Sequence, residues 1–167
     1  MGLSGAPEIS GALLHIGAIE QMFLGRYEHS IDDKGRITIP VRFREGLGNV
    51  AYVTQGFDGN LQVFPTDLFE AMSKKVRAVG YLDPNSRILR RILFSTAELT
   101  KFDDAGRILL PAFLRKTADL KDVAIIAGSG EYFEIWSPEN WRDQQISLND
   151  VEANEQRFSA LDLNTLQ

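Results

Sequence analysis

The chain contains the stretch IDDKGRITIP at residues 31–40 and a second version of it, FDDAGRILLP, at residues 102–111. Six of the ten positions are identical, and the two copies lie 71 residues apart. Internal repetition indicates a duplicated structural unit that packs with pseudo-symmetry. An enzyme active site is usually a single asymmetric cluster, so the repeat favours a binding surface built from two similar parts.

Each copy of the stretch predicts a tight turn. The side chains of Asp32 and Asp103 are suited to accept hydrogen bonds from backbone amides just ahead of them, and Gly35 and Gly106 accept positive φ angles. In the first copy, residues 25–31 and 36–40 have strand-like patterns on either side of the turn. We therefore expect them to pair as the two arms of a β-hairpin.

The similarity extends beyond the motif, over about 45 residues per copy. A short helix at residues 41–46 follows Pro40 in the first copy, because proline ends a ladder and opens helices. A second hairpin is predicted in each copy, from residues 50–54 and 61–65 and from residues 123–127 and 132–136.

Further helices are expected at residues 66–79, capped by Thr66 or Asp67, and at residues 83–97. In the second copy, one helix should begin after Ser137 as its cap, and a last one should cover residues 148–161. This order predicts an α+β fold with a small closed sheet. Neither half has enough strands to bury both faces alone, so the halves should interlock.

Three segments follow from this pattern. Residues 1–21 are rich in small residues and lack a basic start, so we expect a flexible extension and not a signal peptide. Residues 22–97 form the first repeat with its helices, and residues 98–167 form the second repeat with a C-terminal helix.

The charge distribution differs between the halves. The net charge is −5, but residues 22–95 hold 11 Lys and Arg against 8 Asp and Glu, whereas residues 96–167 hold 7 against 13. A phosphate backbone requires a local basic face, which the first half supplies. There are no cysteines and only two histidines, so we expect neither a metal site nor a cofactor. No apolar run is long enough to span a membrane.

These features resemble the MraZ family of bacterial transcription factors, which are related in fold to AbrB-type regulators and MazE-type antitoxins. The resemblance rests on residues 22–25, on Asp32-x-Lys34-Gly35-Arg36 with Pro40, and on Asp103-x-x-Gly106-Arg107 with Pro111. It covers nearly all of the chain after residue 21. Two Asp-x-x-x-Arg motifs in so short a chain are a specific signal.

The resemblance implies a double-split β-barrel of AbrB-like type, made by two swapped-hairpin repeats. It implies a homo-oligomeric ring that binds short direct repeats in double-stranded promoter DNA upstream of the division and cell wall gene cluster, its own promoter included. Such a regulator would be cytoplasmic and nucleoid-associated, and it would have no membrane partner, no small-molecule substrate and no enzymatic activity.

We predict that four basic residues contact DNA: Lys34, Arg36, Arg42 and Arg44. Arginine pairs bidentately with guanine, and lysine suits phosphate, so Arg36 is the expected base contact and Lys34 a phosphate contact. In the second motif Ala105 replaces the counterpart of Lys34, which favours a role in structure or in ring contacts, not in DNA binding, for Asp103, Gly106 and Arg107. Asp32 and Gly35 shape the first turn.

Alternatives to this interpretation remain. Arg36 and Asp32 flank a turn and can form a structural ion pair, a role compatible with DNA contact because guanine can replace the carboxylate. An antitoxin-like module would bind mainly another protein, but it would usually carry one β unit and a disordered acidic tail. An enzyme is disfavoured, because neighbouring carboxylates in a turn point apart and no other catalytic group lies at a motif-like spacing.

Overall fold

The computed structural model describes residues 22–163, so the predicted extension at residues 1–21 lies outside the described residues. The described part has mixed α+β architecture, as expected. Its elements in chain order are β1 (Arg26–Ser30), β2 (Arg36–Thr38), α1 (Val41–Leu47), β3 (Val50–Gln55), β4 (Leu61–Phe64), α2 (Thr66–Ala78), α3 (Pro84–Thr96), β5 (Glu98–Lys101), β6 (Arg107–Leu109), α4 (Ala112–Thr117), β7 (Val123–Gly128), β8 (Phe133–Trp136), α5 (Pro138–Leu148) and α6 (Val151–Ser159).

The strands form two antiparallel sheets that join the repeats. The larger sheet has six strands in the order β1-β7-β8-β4-β3-β5, and the smaller one pairs β2 with β6. The hairpins β3–β4 and β7–β8 form as predicted. Because β1 pairs with β7, β3 with β5 and β4 with β8, the two halves interlock. The closed double-split barrel stays a prediction, as does the boundary between residues 97 and 98, which falls between α3 and β5.

The expected hairpin between residues 25–31 and 36–40 is wrong except at its turn. Only one isolated bridge, between Ile31 and Ile37, joins the two arms. β1 runs along β7, and β2 runs along β6, so each arm pairs with the other repeat. The physical reason is pairing and burial: β1 pairs along its whole length with β7, and β2 buries Ile37 opposite Ile108 of β6.

Two predicted helix boundaries also need correction. Neither Thr66 nor Asp67 caps α2, because Pro65 occupies the cap position and no side chain accepts a hydrogen bond there. The predicted helix at residues 148–161 is interrupted near Asn149, and α6 begins after Asp150, whose carboxylate accepts a hydrogen bond from the Ala153 amide at 3.0 Å. The Ser137 cap of α5 is confirmed.

The main core lies between the two sheets and the short helices. Ile37 and Ile108, which are opposite each other on β2 and β6, are fully buried in it. Phe43 of α1 packs edge-on against Phe23, with ring centroids 5.3 Å apart, and lies 5.0 Å from Phe133 of β8. Aromatic contacts of this kind contribute about 0.5–1.5 kcal/mol beyond their area of burial. The core therefore joins residues from both repeats.

A half-buried carboxylate lies where β4 meets β8. Glu134 is opposite Gln62 in the strand register, and its Oε2 accepts a hydrogen bond from Nδ2 of Asn60, which is buried. Burial raises the pKa of Glu134, while the hydrogen bond from Asn60 acts in the opposite direction. The folded state therefore binds this proton more tightly than the unfolded chain does.

Replacing Glu134 with Gln should change how stability depends on pH. Since the folded-state pKa is raised, wild-type stability falls as pH rises from the ordinary glutamate value through the raised one, and the variant lacks that fall. The stability of Glu134→Gln relative to wild type should therefore improve from acidic to neutral pH, measured by denaturant unfolding at several pH values. Glu131→Gln, at an exposed position, controls for the loss of one negative charge. If stability depended on pH in the same way in Glu134→Gln and in wild type, the raised pKa of Glu134 would be contradicted.

Gly128 is expected to tolerate no side chain. A Cβ at this position would overlap the backbone carbonyl of Phe23, which lies beside β7. Gly128→Ala should therefore destabilise the fold by roughly 1–3 kcal/mol, the usual cost of overpacking. Gly80→Ala is the matched control, because nothing lies within 4 Å of a Cβ there. Thermal unfolding of both variants tests this, and equal melting temperatures would refute it.

Candidate nucleic-acid interface

The strands that follow the two turns form one two-stranded ribbon, β2–β6. Its register is Arg36↔Leu109, Ile37↔Ile108 and Thr38↔Arg107. Side chains alternate between the faces of a strand, and the two isoleucines face the core. Arg36 and Arg107 therefore lie on the opposite, outer face of the same ribbon. The duplication thus produces a single surface on which both motif arginines meet.

The first turn, residues 32–35, is held by Asp32. Its Oδ1 accepts hydrogen bonds from the amides of Lys34 at 3.0 Å and Arg36 at 2.8 Å, and its Oδ2 accepts from Nε of Arg36 at 2.7 Å. The backbone closes the turn, with the Gly35 amide donating to the Asp32 carbonyl at 3.0 Å. The carboxylate therefore fixes both the turn and the direction of the Arg36 side chain.

The second turn, residues 103–106, repeats this arrangement. Asp103 Oδ1 accepts from the amides of Ala105 and Arg107, both at 2.9 Å, and Oδ2 accepts from Nε of Arg107 at 2.8 Å. In addition, Nη1 of Arg107 lies 3.8 Å from Oδ2 of Asp32. An ion pair thus also connects the two turns across the ribbon.

The hydrogen bonds lower the pKa of both aspartates. For Asp32 the largest contribution is the amide of Arg36, and the Arg36 side chain acts in the same direction. For Asp103 the amide and side chain of Arg107 have the same effects. Each carboxylate therefore stays charged to a lower pH than a free aspartate does, and the charged form is the one that accepts these bonds.

The two arginines are placed equivalently. The side chain of Arg36 is 31% exposed and that of Arg107 is 33% exposed. The difference between the motifs lies in the turns, since Lys34 is exposed in the first and uncharged Ala105 takes its place in the second. The sequence predicts DNA contact for Arg36 and a structural role for Arg107. The side-chain geometry of the two arginines does not distinguish these roles, whereas the charge of the neighbouring turn residue does.

The two arginines predicted on α1 occupy different environments. Arg42 is exposed, whereas Arg44 is half-buried and lies against the second turn. A Cβ built on Gly106 would be 2.8 Å from Nε of Arg44. The structure thus brings Lys34 and Arg36 together on the first turn, and Arg44 next to the second.

Sequence reasoning missed Arg115. This residue, on α4, lies against the first turn, and a Cβ built on Gly35 would be 2.8 Å from its Nε. Arg115 follows Arg44 by 71 residues, the separation of the two motifs. Aligning the two repeats beyond Pro40 and Pro111 places Arg44 opposite Arg115, so the sequence contained a signal for this residue.

The described residues offer neither a metal centre nor a membrane-spanning helix. Within residues 22–163, no group of three or more His, Cys, Asp or Glu is arranged to hold a metal ion. In the same part of the chain, none of the helices has the length and apolar character that crossing a membrane requires.

A duplicated α+β chain whose repeats exchange strands and that displays two aspartate-braced arginines on one ribbon defines a tandem-repeat protein of swapped-strand type. Comparison with known proteins identifies it further: the family model described as "MraZ protein, putative antitoxin-like" matches residues 22–92 and again residues 93–163. The chain belongs to the MraZ family.

Curated relatives agree with this assignment. Proteins named "Transcriptional regulator MraZ" include one from Thermomicrobium roseum, 47% identical over 123 residues, which are 74% of this chain and 87% of the relative. One from Roseiflexus castenholzii is 45% identical over 138 residues, 83% of this chain and 94% of the relative. One from Desulfitobacterium hafniense strain Y51 is 41% identical over 133 residues, 80% and 93% of the two chains.

The bracing of the turns predicts how their carboxylates titrate. Side-chain NMR should give midpoints below the ordinary aspartate value for Asp32 and Asp103. Since each folded-state pKa is lowered, the stability these carboxylates add is present at neutral pH and is lost as pH falls through the folded-state value. Arg36→Ala should return the Asp32 midpoint only part of the way, because the backbone amide still donates. A complete return would show that the side chain alone lowers this pKa.

Proposed function

We propose that this protein is a sequence-specific DNA-binding transcriptional regulator whose first motif, on the outer face of the β2–β6 ribbon, contacts the bases. The observation that carries the proposal is the pair of aspartate-braced arginines on one exposed ribbon face. The relatives' name, transcriptional regulator, supports the same class of function. A two-stranded ribbon is narrow enough to enter the major groove of B-DNA.

Arg36 is the proposed base contact. Its Nε is bonded to Asp32, and about a third of the side chain is exposed. A guanidinium held in this way presents its remaining N–H groups in a fixed plane, which suits bidentate pairing with O6 and N7 of guanine. The hydrogen bond from Asp32 restricts the Arg36 side chain before DNA binds, so less conformational entropy is lost on binding. Lys34, at the exposed turn, is the proposed phosphate contact.

The charges of the two turns favour the first motif as the DNA-facing one. The first turn and its arginine carry two acidic and two basic side chains: Asp32, Asp33, Lys34 and Arg36. The second carries two acidic side chains and one basic, Asp103, Asp104 and Arg107. Since phosphate repels carboxylate, the second motif is less suited to approach a backbone closely. We propose that Arg107 serves mainly to join the two turns, through its contacts with Asp103 and Asp32.

The two α1 arginines have separate proposed roles. Arg42 is exposed one residue after the helix begins and is a candidate contact with the flanking phosphates. Arg44 is half-buried and packs against Gly106, so its proposed DNA contact is a secondary one.

Assembly is the remaining part of the proposal. A single arginine–guanine pair does not specify a promoter, but several protomers in a ring, each meeting one short direct repeat, gain affinity through effective concentration. We propose such a homo-oligomeric ring with an AbrB-like double-split barrel in each protomer. From the family resemblance we further propose that it acts in the cytoplasm, at the nucleoid, on the division and cell wall gene cluster and its own promoter.

Arg36→Ala should weaken binding to the DNA upstream of the protein's own gene by about 1–3 kcal/mol, the value of one bidentate pair, with little effect on unrelated DNA. Fluorescence anisotropy over a salt series measures the affinity for the upstream DNA and for the unrelated DNA. Lys34→Ala should weaken binding to all sequences and reduce the salt slope by about one ion.

Two variants serve as controls. Lys74→Ala removes an exposed positive charge on α2, away from the ribbon, and should leave the specificity ratio unchanged. Arg107→Ala should act mainly by lowering stability or assembly. A specificity loss in Arg107→Ala equal to that in Arg36→Ala, without loss of stability, would refute the asymmetric assignment. Absence of wild-type DNA binding at low salt would refute the proposed function.

A further inference from the structure

We propose that Arg115, which belongs to the second repeat, is a positioning residue for the DNA-contacting turn of the first repeat. This inference rests on the proposed function for its consequence in DNA binding, but the contact on which it depends lies in the protein itself. Arg115 acts through Gly35 and needs no contact with DNA. Recognition by the first motif would therefore depend on a side chain from the other half of the chain.

The contact joins three parts of the protein. Nε of Arg115 donates a hydrogen bond to the carbonyl of Leu110 at 3.0 Å, and the amide of Leu110 donates to the carbonyl of Gly35 at 2.9 Å. The guanidinium carbon and Nε of Arg115 are both 2.8 Å from the position that a Cβ on Gly35 would occupy. Arg115 therefore lies directly over the turn and links it to α4 and to the end of β6.

Gly35 is required here for two separate reasons. Its φ angle of +82° is one that residues with side chains rarely adopt. Its missing Cβ also leaves the space that the guanidinium fills. Gly35 lies directly before Arg36, so a restriction on its backbone restricts the proposed base contact. A turn held before DNA arrives loses less conformational entropy on binding.

The counterpart contact in the second motif is incomplete. Arg44 lies over Gly106, which has a φ angle of +73°, and the amide of Ile39 donates to the Gly106 carbonyl at 3.1 Å. Nε of Arg44 is buried without a hydrogen-bond partner in the described structure, whereas Nε of Arg115 has Leu110. The first turn is thus the better held of the two. It is also the turn that carries Lys34.

Arg115→Lys tests the proposal, because lysine keeps the charge but lacks both the planar group and the Nε donor. We expect specific affinity for the upstream DNA to fall by up to about tenfold, within the range of one bidentate contact, while affinity for unrelated DNA is unchanged. Arg44→Lys, which changes the counterpart contact over the second turn, should have a smaller effect. Lys116→Ala, at the exposed neighbouring position, controls for charge on α4.

A double-mutant cycle separates positioning from a general loss of stability. If Arg115 acts through Arg36, the loss caused by Arg115→Lys should disappear in the Arg36→Ala background. Equal losses in both backgrounds, or equal losses on specific and unrelated DNA, would overturn the proposal. Arg115→Gln, which keeps a planar amide, provides a second variant if the lysine variant does not fold.

Amide exchange and NMR shifts supply a readout that does not depend on DNA. In the free protein, Arg115→Lys should speed exchange of the Gly35 amide and move the resonances of residues 34–36, with smaller changes at residues 105–107. An unchanged first turn would overturn the positioning role even if DNA binding were lost. Conversely, absence of wild-type DNA binding would refute the proposed function and leave the contact with Gly35 to be judged by these spectra.

Discussion

The pairing of β2 with β6 is the constraint on which the rest of the structure depends. Its central pair, Ile37 and Ile108, is fully buried, so the ribbon is anchored by one face to the core of both repeats. Because side chains alternate along a strand, burial of these isoleucines forces Arg36 and Arg107 to the opposite face. A shift of one residue in register would bury charged guanidinium groups without partners and expose the isoleucines. The hydrophobic core therefore determines where the charged surface lies.

The same constraint explains why each turn is braced so heavily. The two arms beside the first turn separate after a single bridge between Ile31 and Ile37. The turn is therefore not continued by a β-ladder between its own arms. Two backbone hydrogen bonds close the turn, from the Gly35 amide to the Asp32 carbonyl and from the Asp32 amide to the Arg36 carbonyl. The Asp32 carboxylate and contacts with the other repeat stabilise it further. The protein thus adds side-chain hydrogen bonds at a place where a hairpin would continue its backbone pairing.

Much of this architecture could be predicted from local sequence signals. The repeat, the turns at Gly35 and Gly106, the Ser137 cap and the β3–β4 and β7–β8 hairpins depend on neighbouring residues, and local patterns report them. The partner of β1 could not be found in this way, because a strand pattern specifies a buried face and not which strand lies beside it. The contact of Arg115 with Gly35 was missed for a similar reason. It joins residues 80 positions apart, and only the equivalence of Arg44 and Arg115 across the repeat pointed to it.

Duplication within one chain has a consequence that a symmetric dimer of single repeats does not share. In such a dimer, any change in one turn appears in both, so a lysine added for phosphate contact is present twice. Here the two turns vary independently, and one has Lys34 where the other has Ala105. The core still requires the pseudo-symmetric packing of Ile37 with Ile108 and the paired arginine–glycine contacts. Symmetry is therefore retained where packing demands it and is lost at the exposed positions, where charge determines what the surface can bind.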